Sequence, residues 1–428
     1  MNQEEINSKT ESEARRNFAL GLIQGAFIRL SHTFVEGSTI LSAFVLRLTN
    51  SSVMVGLVGS MMSAGWMLPQ LFISNLIEHK PYKKPFYILG YSIRLTAWSS
   101  ILLFTLIIAD SNFTILFIGF ISLYAIATFA MGISTVPFTD IVSKVIPATK
   151  RPRFFSSRNF MGGIAGFLAG FLVRHILKGN GGIVFPNNYA LLFGFNIIGG
   201  TIAFGCFVMI REPVEPVRDK RISFREHLKT GPMLLKTNKD YRMLLIARVF
   251  MTLGSMSSPF YVPYALSNLG VKESMIGLFI SISMFSGIFS NIAWAYLAEK
   301  RGCRVVLMNC ALFAMLAPLV GAVVKYIPSD FQIPTFFLIF IFNRVVHSAL
   351  MMASTTYLLD IAPSETRPTY LGFMNTFRFP LTFAPVLAGF LLKIISYQML
   401  FVITMLFGAC AFFYARLLSD DTERRSEE

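Results

Sequence analysis

Arg29, His32 and Glu36 stand three and four residues apart in the stretch RLSHTFVEG, inside a run otherwise built of Phe, Leu, Ile, Ala and Gly. A guanidinium binds carboxylate or phosphate bidentately. An imidazole titrates near neutral pH, and a carboxylate beside an arginine can exchange that partner for a proton. On a continuous helix at roughly 100° per residue, a seven-residue step returns to within about 20° of its start and a three-residue step lands about 60° away. The three side chains then share one face. Arg344 and His347 repeat the three-residue spacing in a later apolar run, and Arg378 lies near the middle of the next. Three arginines against one glutamate make the set net basic.

The elements that carry these groups are apolar. The chain of 428 residues is 54% hydrophobic and 14% charged, with a mean hydropathy of +0.60. Apolar runs of membrane-spanning length recur from end to end, which excludes a pair of soluble helical domains. Twelve such runs lie at roughly 18–46, 53–77, 85–108, 113–143, 157–178, 189–210, 243–266, 274–298, 304–327, 333–361, 369–395 and 397–418. Ionisable groups near the middle of such runs cannot face lipid cheaply, so they face protein or a water-filled cavity.

The formal charge of +15 does not point to nucleic acid, because the basic residues sit in alternate short loops rather than on one domain. About 26 of the 38 Lys and Arg fall on one side of the membrane and about 6 on the other, which puts both termini in the cytoplasm. The four cysteines, Cys206, Cys303, Cys310 and Cys410, show no pairing pattern or metal spacing and read as small core residues. Residues 1–16 are polar and lack the features of a cleaved signal peptide, so the first run serves as its own signal. The division expected is a cytoplasmic tail (1–16), a six-helix half (17–210), a linker (211–240), a second half (241–418) and a tail (419–428). Within the linker, FREHLKTGPMLLK suits a short amphipathic surface helix, although a solvated basic loop is the simpler reading.

The halves resemble each other. MVGLVGSMM…SNLIEHK (54–80) aligns without gaps on MIGLFISIS…AYLAEKR (275–301), and TDIVSKVIPATKRPRFF…AGFLV (139–173) echoes LDIAPSETRPTYL…AGFLL (359–392). Parallel six-helix repeats joined by a cytoplasmic loop are a known transporter plan.

At these residues the chain resembles the major facilitator superfamily. Its signature between the second and third helices of a half is Gly, three residues, Asp, a basic residue, any residue, Gly and two basic residues. AYLAEKRGCR (295–304) follows it with Glu299, Lys300, Gly302 and Arg304, while Ala295 replaces the first glycine. SNLIEHKPYK (74–83) keeps Glu78 and Lys83 but has Pro81 at the glycine. The resemblance implies a cytoplasmic latch, in which such a carboxylate pairs with basic groups across the seam between halves; a loop that merely fixes topology is the alternative. The arginine-then-glycine signature is missing from the fourth helix and survives in the tenth as Arg344 with Ser348. GGIAGFLAGFLV (162–173) lacks the proline common among drug antiporters.

The resemblance also implies an all-α fold of twelve transmembrane helices in two pseudo-two-fold halves, whose first, fourth, seventh and tenth helices line a central cavity. Arg29, His32, Glu36, Arg344, His347 and Arg378 would then face one chamber. Arg158 and Arg248 lie near cytoplasmic helix starts, and Asp140 and Asp360 near cytoplasmic helix ends. With Glu78, Lys83, Glu299, Lys300 and Arg304 they are candidates for a cytoplasmic gate or for snorkelling. Arg94, in the usually peripheral third helix, stays open between structure and function.

Three readings of the central charges compete: an internal ion-pair network, a site for carboxylate or phosphate, and proton coupling through His32, His347 and Glu36. The last two are compatible. The expectation is a monomeric secondary transporter of a small, anionic organic solute, proton-coupled and working by alternating access in a bacterial inner membrane. No cofactor is called for. Multidrug efflux and a non-transporting receptor are the alternatives. No phosphate loop, His-x-x-x-His pair or nucleophile motif points to ATP drive or an enzyme.

Overall fold

With no water in a bilayer core, an apolar segment satisfies its backbone groups internally, and a helix does so within one segment. The computed structural model describes residues 3–77, 80–108, 112–179, 182–213, 233–363 and 367–420. Nine helices among the described residues are long and apolar enough to cross a membrane. The protein is an all-α polytopic membrane protein.

The helices are α1 (Gln3–Thr33), α2 (Ile40–Thr49), α3 (Ser52–Ile77), α4 (Lys84–Ile108), α5 (Phe113–Val145), α6 (Arg151–Leu177), α7 (Asn187–Val208), α8 (Lys239–Gly254), α9 (Tyr261–Asn268), α10 (Met275–Val323), α11 (Ser329–Ile361), α12 (Arg367–Arg378), α13 (Ala384–Leu391) and α14 (Tyr397–Arg416). Asn112 caps α5, accepting from the N–H groups of Thr114 and Ile115 at 2.8 and 3.2 Å, and Asn238 caps α8 through Tyr241 N–H at 2.9 Å.

Local breaks separate nine helices from twelve apolar runs. The eighth and ninth runs form one 49-residue element, broken at Gly302, whose φ of 78° and ψ of 166° suit glycine alone. The first run is two helices, with Phe34–Thr39 non-helical between them. The seventh still counts as one 30-residue span, although it passes from α8 to α9 through a 3-10 segment, Ser255–Phe260, that contains Pro259. The eleventh is broken by a 3-10 segment at Phe379–Phe383, with Pro380 inside that segment and Pro385 just beyond it. Proline removes a backbone donor and clashes with the preceding turn. The breaks at Thr33–Ile40 and Gly254–Tyr261 are 221 positions apart, as are Met54 and Met275 of the repeat. The polar N-terminal stretch is helical too, because α1 begins at Gln3.

The chain clusters into two units, Met1–Glu36 with Met61–Arg221, and Gly37–Ser60 with Ile222–Glu428. In the first, α1 packs on α6 and α7, and α4 on α5 and α7. Its core stacks Tyr91 on Phe204 at 5.2 Å and Phe120 on Tyr124 at 5.5 Å. In the second, α10 packs on α11 and α14, and α8 on α14. There the start of α3 meets α13 backbone to backbone: a Cβ on Gly389 would fall 2.7 Å from Val53 Cα, and one on Gly56 would strike Pro385. Arg47 and Glu273 form an ion pair at 3.0 Å in the same unit. The proposed linker helix falls on residues 224–236, most of which lie outside the described residues.

Candidate functional site

Glycines set the seam between α1 and α6 in the first unit. Gly21 faces Phe154 and Gly25 faces Arg158, while Gly162 faces the Cβ and Cγ of Arg29 at 2.7 and 2.6 Å from where its own Cβ would stand. Large and small residues alternate between the helices in matched four-residue steps, so the two run parallel in close contact. Arg29 is exposed and donates from Nη2 to Asn159 Oδ1 at 3.3 Å. Arg158 lies over the rings of Phe138 and Phe154 at 4.7 and 5.3 Å, a cation–π arrangement that holds it in place.

His32 sits on the same helix with its Nε2 buried and no hydrogen-bond partner. The guanidinium groups of Arg94 and Arg29 both act on it electrostatically. Arg94 is 6% exposed and lies 5.5 Å from the Tyr91 ring centroid. It therefore belongs to the interior of this unit, which its position in the third run did not reveal. Next to His32 in the chain, Ser31 donates to Asn196 Oδ1 at 2.6 Å and anchors α1 on α7.

Glu36 corrects the single-face reading. The helix ends at Thr33, so Glu36 lies in the break and the seven-residue spacing from Arg29 no longer sets its direction. Phe34 and Val35 N–H close tight turns to Ser31 and His32 carbonyls at 3.2 Å, and Ser42 Oγ donates to the Gly37 carbonyl at 2.8 Å. Irregular backbone at membrane depth persists only where protein or water satisfies it. Glu36 and Arg94 both act electrostatically on the Tyr124 hydroxyl of α5.

In the second unit Arg344 packs along Gly287, with its Cγ 3.1 Å from where a Cβ would stand. His347 is exposed one turn on. Ser348 shares a 2.9 Å hydrogen bond with Ser290, and Trp294 Nε1 donates to the Val345 carbonyl at 3.0 Å, locking α10 to α11. Arg378 donates from Nε and Nη2 to Thr252 Oγ1 at 3.3 and 3.2 Å. Arg248, which the sequence grouped with the cytoplasmic gate, acts electrostatically against Arg378, which it grouped with the chamber. These two arginines form one cluster.

The remaining gate candidates end in local contacts. Lys83 donates from Nζ to the Ile77 carbonyl, and Asp140 pairs with Lys144 at 2.8 Å. Arg304 bonds Asp420 and the Arg416 carbonyl. Glu299, Lys300 and Asp360 are exposed, and Glu78 lies outside the described residues. The organising acid in the first unit stands outside every signature stretch of the sequence. Glu212, 2% exposed at its side chain, pairs with Lys144 at 3.1 Å and accepts the N–H groups of Lys83 and Lys84 at 2.9 Å each. It caps α4 from the segment that follows α7. A surface groove lined by Leu89, Ser92, Thr96 and Ser100 holds no titratable side chain.

The profile of the Major Facilitator Superfamily matches residues 243–428. No curated protein sequence matches the chain significantly. Among solved structures, the chain is similar to the nucleoside transporter NupG at 14% identity and TM-score 0.69, over 95% of this chain and 99% of that one. It is similar to a POT family transporter in complex with 5-aminolevulinic acid at 11% identity and TM-score 0.70, covering 94% and 95%. A bacterial homologue of the iron transporter ferroportin, in an inward-facing state, aligns at 12% identity and TM-score 0.69 over 94% and 98%. No group of three His, Cys, Asp or Glu suited to a metal ion occurs among the described residues. Residues 243–428 thus match the Major Facilitator Superfamily, and the whole chain shares the polytopic fold of these solved transporters.

Proposed function

We propose that the protein is a secondary transporter that moves a small organic anion across the membrane by alternating access. One observation carries the reading. Arg29, Arg94, Arg158, Arg248, Arg344 and Arg378 lie within the twelve apolar runs, whose carboxylates are Glu36, Asp140 and Asp360, the last two within a few residues of a run's end. Arginine stays charged in proteins, and uncompensated charge at membrane depth is costly, so the excess selects a solute that brings negative charge.

Twelve crossings fit this reading once the broken runs are each counted as one crossing and the Gly302 element as two. They form two six-helix halves, with the termini cytoplasmic in a bacterial inner membrane. His32 and Glu36 would exchange protons as solute arrives and leaves. The solute is small and organic, and the carrier works as a monomer.

The test is flux into proteoliposomes under an imposed pH gradient, comparing small carboxylates, phosphorylated solutes, neutral sugars and lipophilic cations. Anion uptake that responds to the gradient, and that falls at least tenfold in Arg29→Gln, is expected. Uptake of lipophilic cations alone would reject the anion reading in favour of multidrug efflux, and indifference to the gradient would reject proton coupling.

A further inference from the structure

We infer that Arg248, Thr252 and Arg378 form an oxyanion-binding site within the second unit, which takes the anionic group of the transported solute. It rests on the anion-transport reading and assigns that reading to three specific side chains.

The register that builds the site comes from about two turns further down. Tyr241 on α8 donates its hydroxyl to the Tyr370 carbonyl on α12 at 2.8 Å, and the two rings meet edge to face at 4.6 Å. Seven and eleven residues after Tyr241 come Arg248 and Thr252, and eight residues after Tyr370 comes Arg378. Running parallel, α8 and α12 bring these side chains to one level. Just past them both chains turn into 3-10 segments, Ser255–Phe260 and Phe379–Phe383, so the site sits where two broken helices change course.

The donors exceed the acceptors. Arg248 is 5% exposed, and its Nε and Nη1 are buried without a hydrogen-bond partner. Arg378 directs Nε and Nη2 together at the single neutral oxygen of Thr252, at 3.3 and 3.2 Å. That edge of a guanidinium is shaped for two oxygens of a carboxylate or phosphoryl group. Thr252 spends its own proton on the Arg248 carbonyl at 2.8 Å, so its hydroxyl oxygen is fully committed. Cys310, the other side chain acting on Arg248, directs its thiol to the Val346 carbonyl at 3.4 Å. Among the described residues no carboxylate forms an ion pair with either arginine.

Two like charges set together with unmet donors cost energy in the empty state, because a buried polar group without a partner loses its hydration with no return. An internal ion-pair network would supply a carboxylate here, and none is present among the described residues. An oxyanion would accept from Arg248, replace the hydroxyl at the Arg378 fork and neutralise charge in one step. Arg378 and Thr252 keep partial exposure, so the site is reachable.

The probes are inorganic phosphate and acetate, each against chloride at equal ionic strength, with the melting midpoint of the purified full chain as readout. A ligand that binds only the folded state raises that midpoint. Phosphate, acetate or both should raise it by several degrees at about 100 times Kd. The rise should vanish in Arg248→Gln and Arg378→Gln, shrink in Arg248→Lys and Arg378→Lys, and persist in the surface variant Arg416→Gln. The relative size of the two rises tells a phosphoryl group from a carboxylate. Without anion, Arg248→Gln should melt no lower than wild type, since it removes one of two repelling charges. A fall of several degrees there would instead reveal an internal partner and overturn the site. Anion stabilisation that survives in both glutamine variants also overturns it, and leaves anion transport to stand on the flux assay. No stabilisation of wild type by either anion overturns the site as well.

Discussion

Replacing Glu212 with alanine removes the acid that ties three segments of the first unit together. Its carboxylate accepts the N–H groups of Lys83 at 2.9 and 3.1 Å and of Lys84 at 2.9 Å, and pairs with Lys144 at 3.1 Å. The side chains of Lys144 and Glu212 are 3% and 2% exposed. Alanine leaves two backbone donors without an acceptor, at about 1–2 kcal/mol each. Breaking a buried pair by removing one partner costs about 3–5 kcal/mol. Here Asp140 still holds Lys144 at 2.8 Å, so the pair contributes only a fraction of that. The sum is about 3–5 kcal/mol, which for a cooperative unit of this size lowers the melting midpoint by about 6–20 °C. Glu212→Gln, which keeps an acceptor oxygen but loses the charge, should fall about halfway. The assay is thermal unfolding of the purified protein in detergent, with Glu13→Gln as control because Glu13 pairs with Arg211 at a largely exposed site. A Glu212→Ala midpoint within about 2 °C of wild type would show that the lysine N–H groups are solvated without it, and would refute the knot.

Gly302→Ala places a side chain at φ 78° and ψ 166°, which should cost about 1–3 kcal/mol and lower the melting midpoint, whereas any alanine one residue away should not. Gly389→Val would drive its side chain into the Ser52 and Val53 backbone, and is expected to melt several degrees low because backbone cannot step aside. A double-mutant cycle of Ser290→Ala and Ser348→Ala, read by unfolding, should give a coupling of about 0.6 kcal/mol, the usual size for such bonds in membrane helices. A coupling near zero would mean that the 2.9 Å contact contributes nothing.

The transporter fold was legible through the internal repeat and the family resemblance at residues 295–304. The apolar runs, their approximate ends and the all-helical class were legible from hydropathy, a property of a chain read in one dimension. Lipid enforces them locally, since every crossing segment must satisfy its own backbone. Gly302 was legible as a motif position, and its backbone angles explain why glycine stands there. The break after Thr33 was not legible. No proline marks it, and Glu36 leaves the helical register because tight turns and Ser42 satisfy the freed backbone.

Partnership was hidden for a related reason. Arg248 and Arg378 looked like members of different groups because each was placed by distance from its own helix end. They meet because a hydroxyl–carbonyl bond 129 residues apart in sequence, from Tyr241 to Tyr370, sets the register of two helices. Glu212 was hidden in the same way. Read along the chain it is a charge in a polar segment, and only its packing against residues 128 and 129 positions away makes it a buried cap. The pattern of residue types specifies where helices form and which groups cannot face lipid. Which of those groups meet depends on interhelical registers, and those are settled by contacts between side chains remote in sequence.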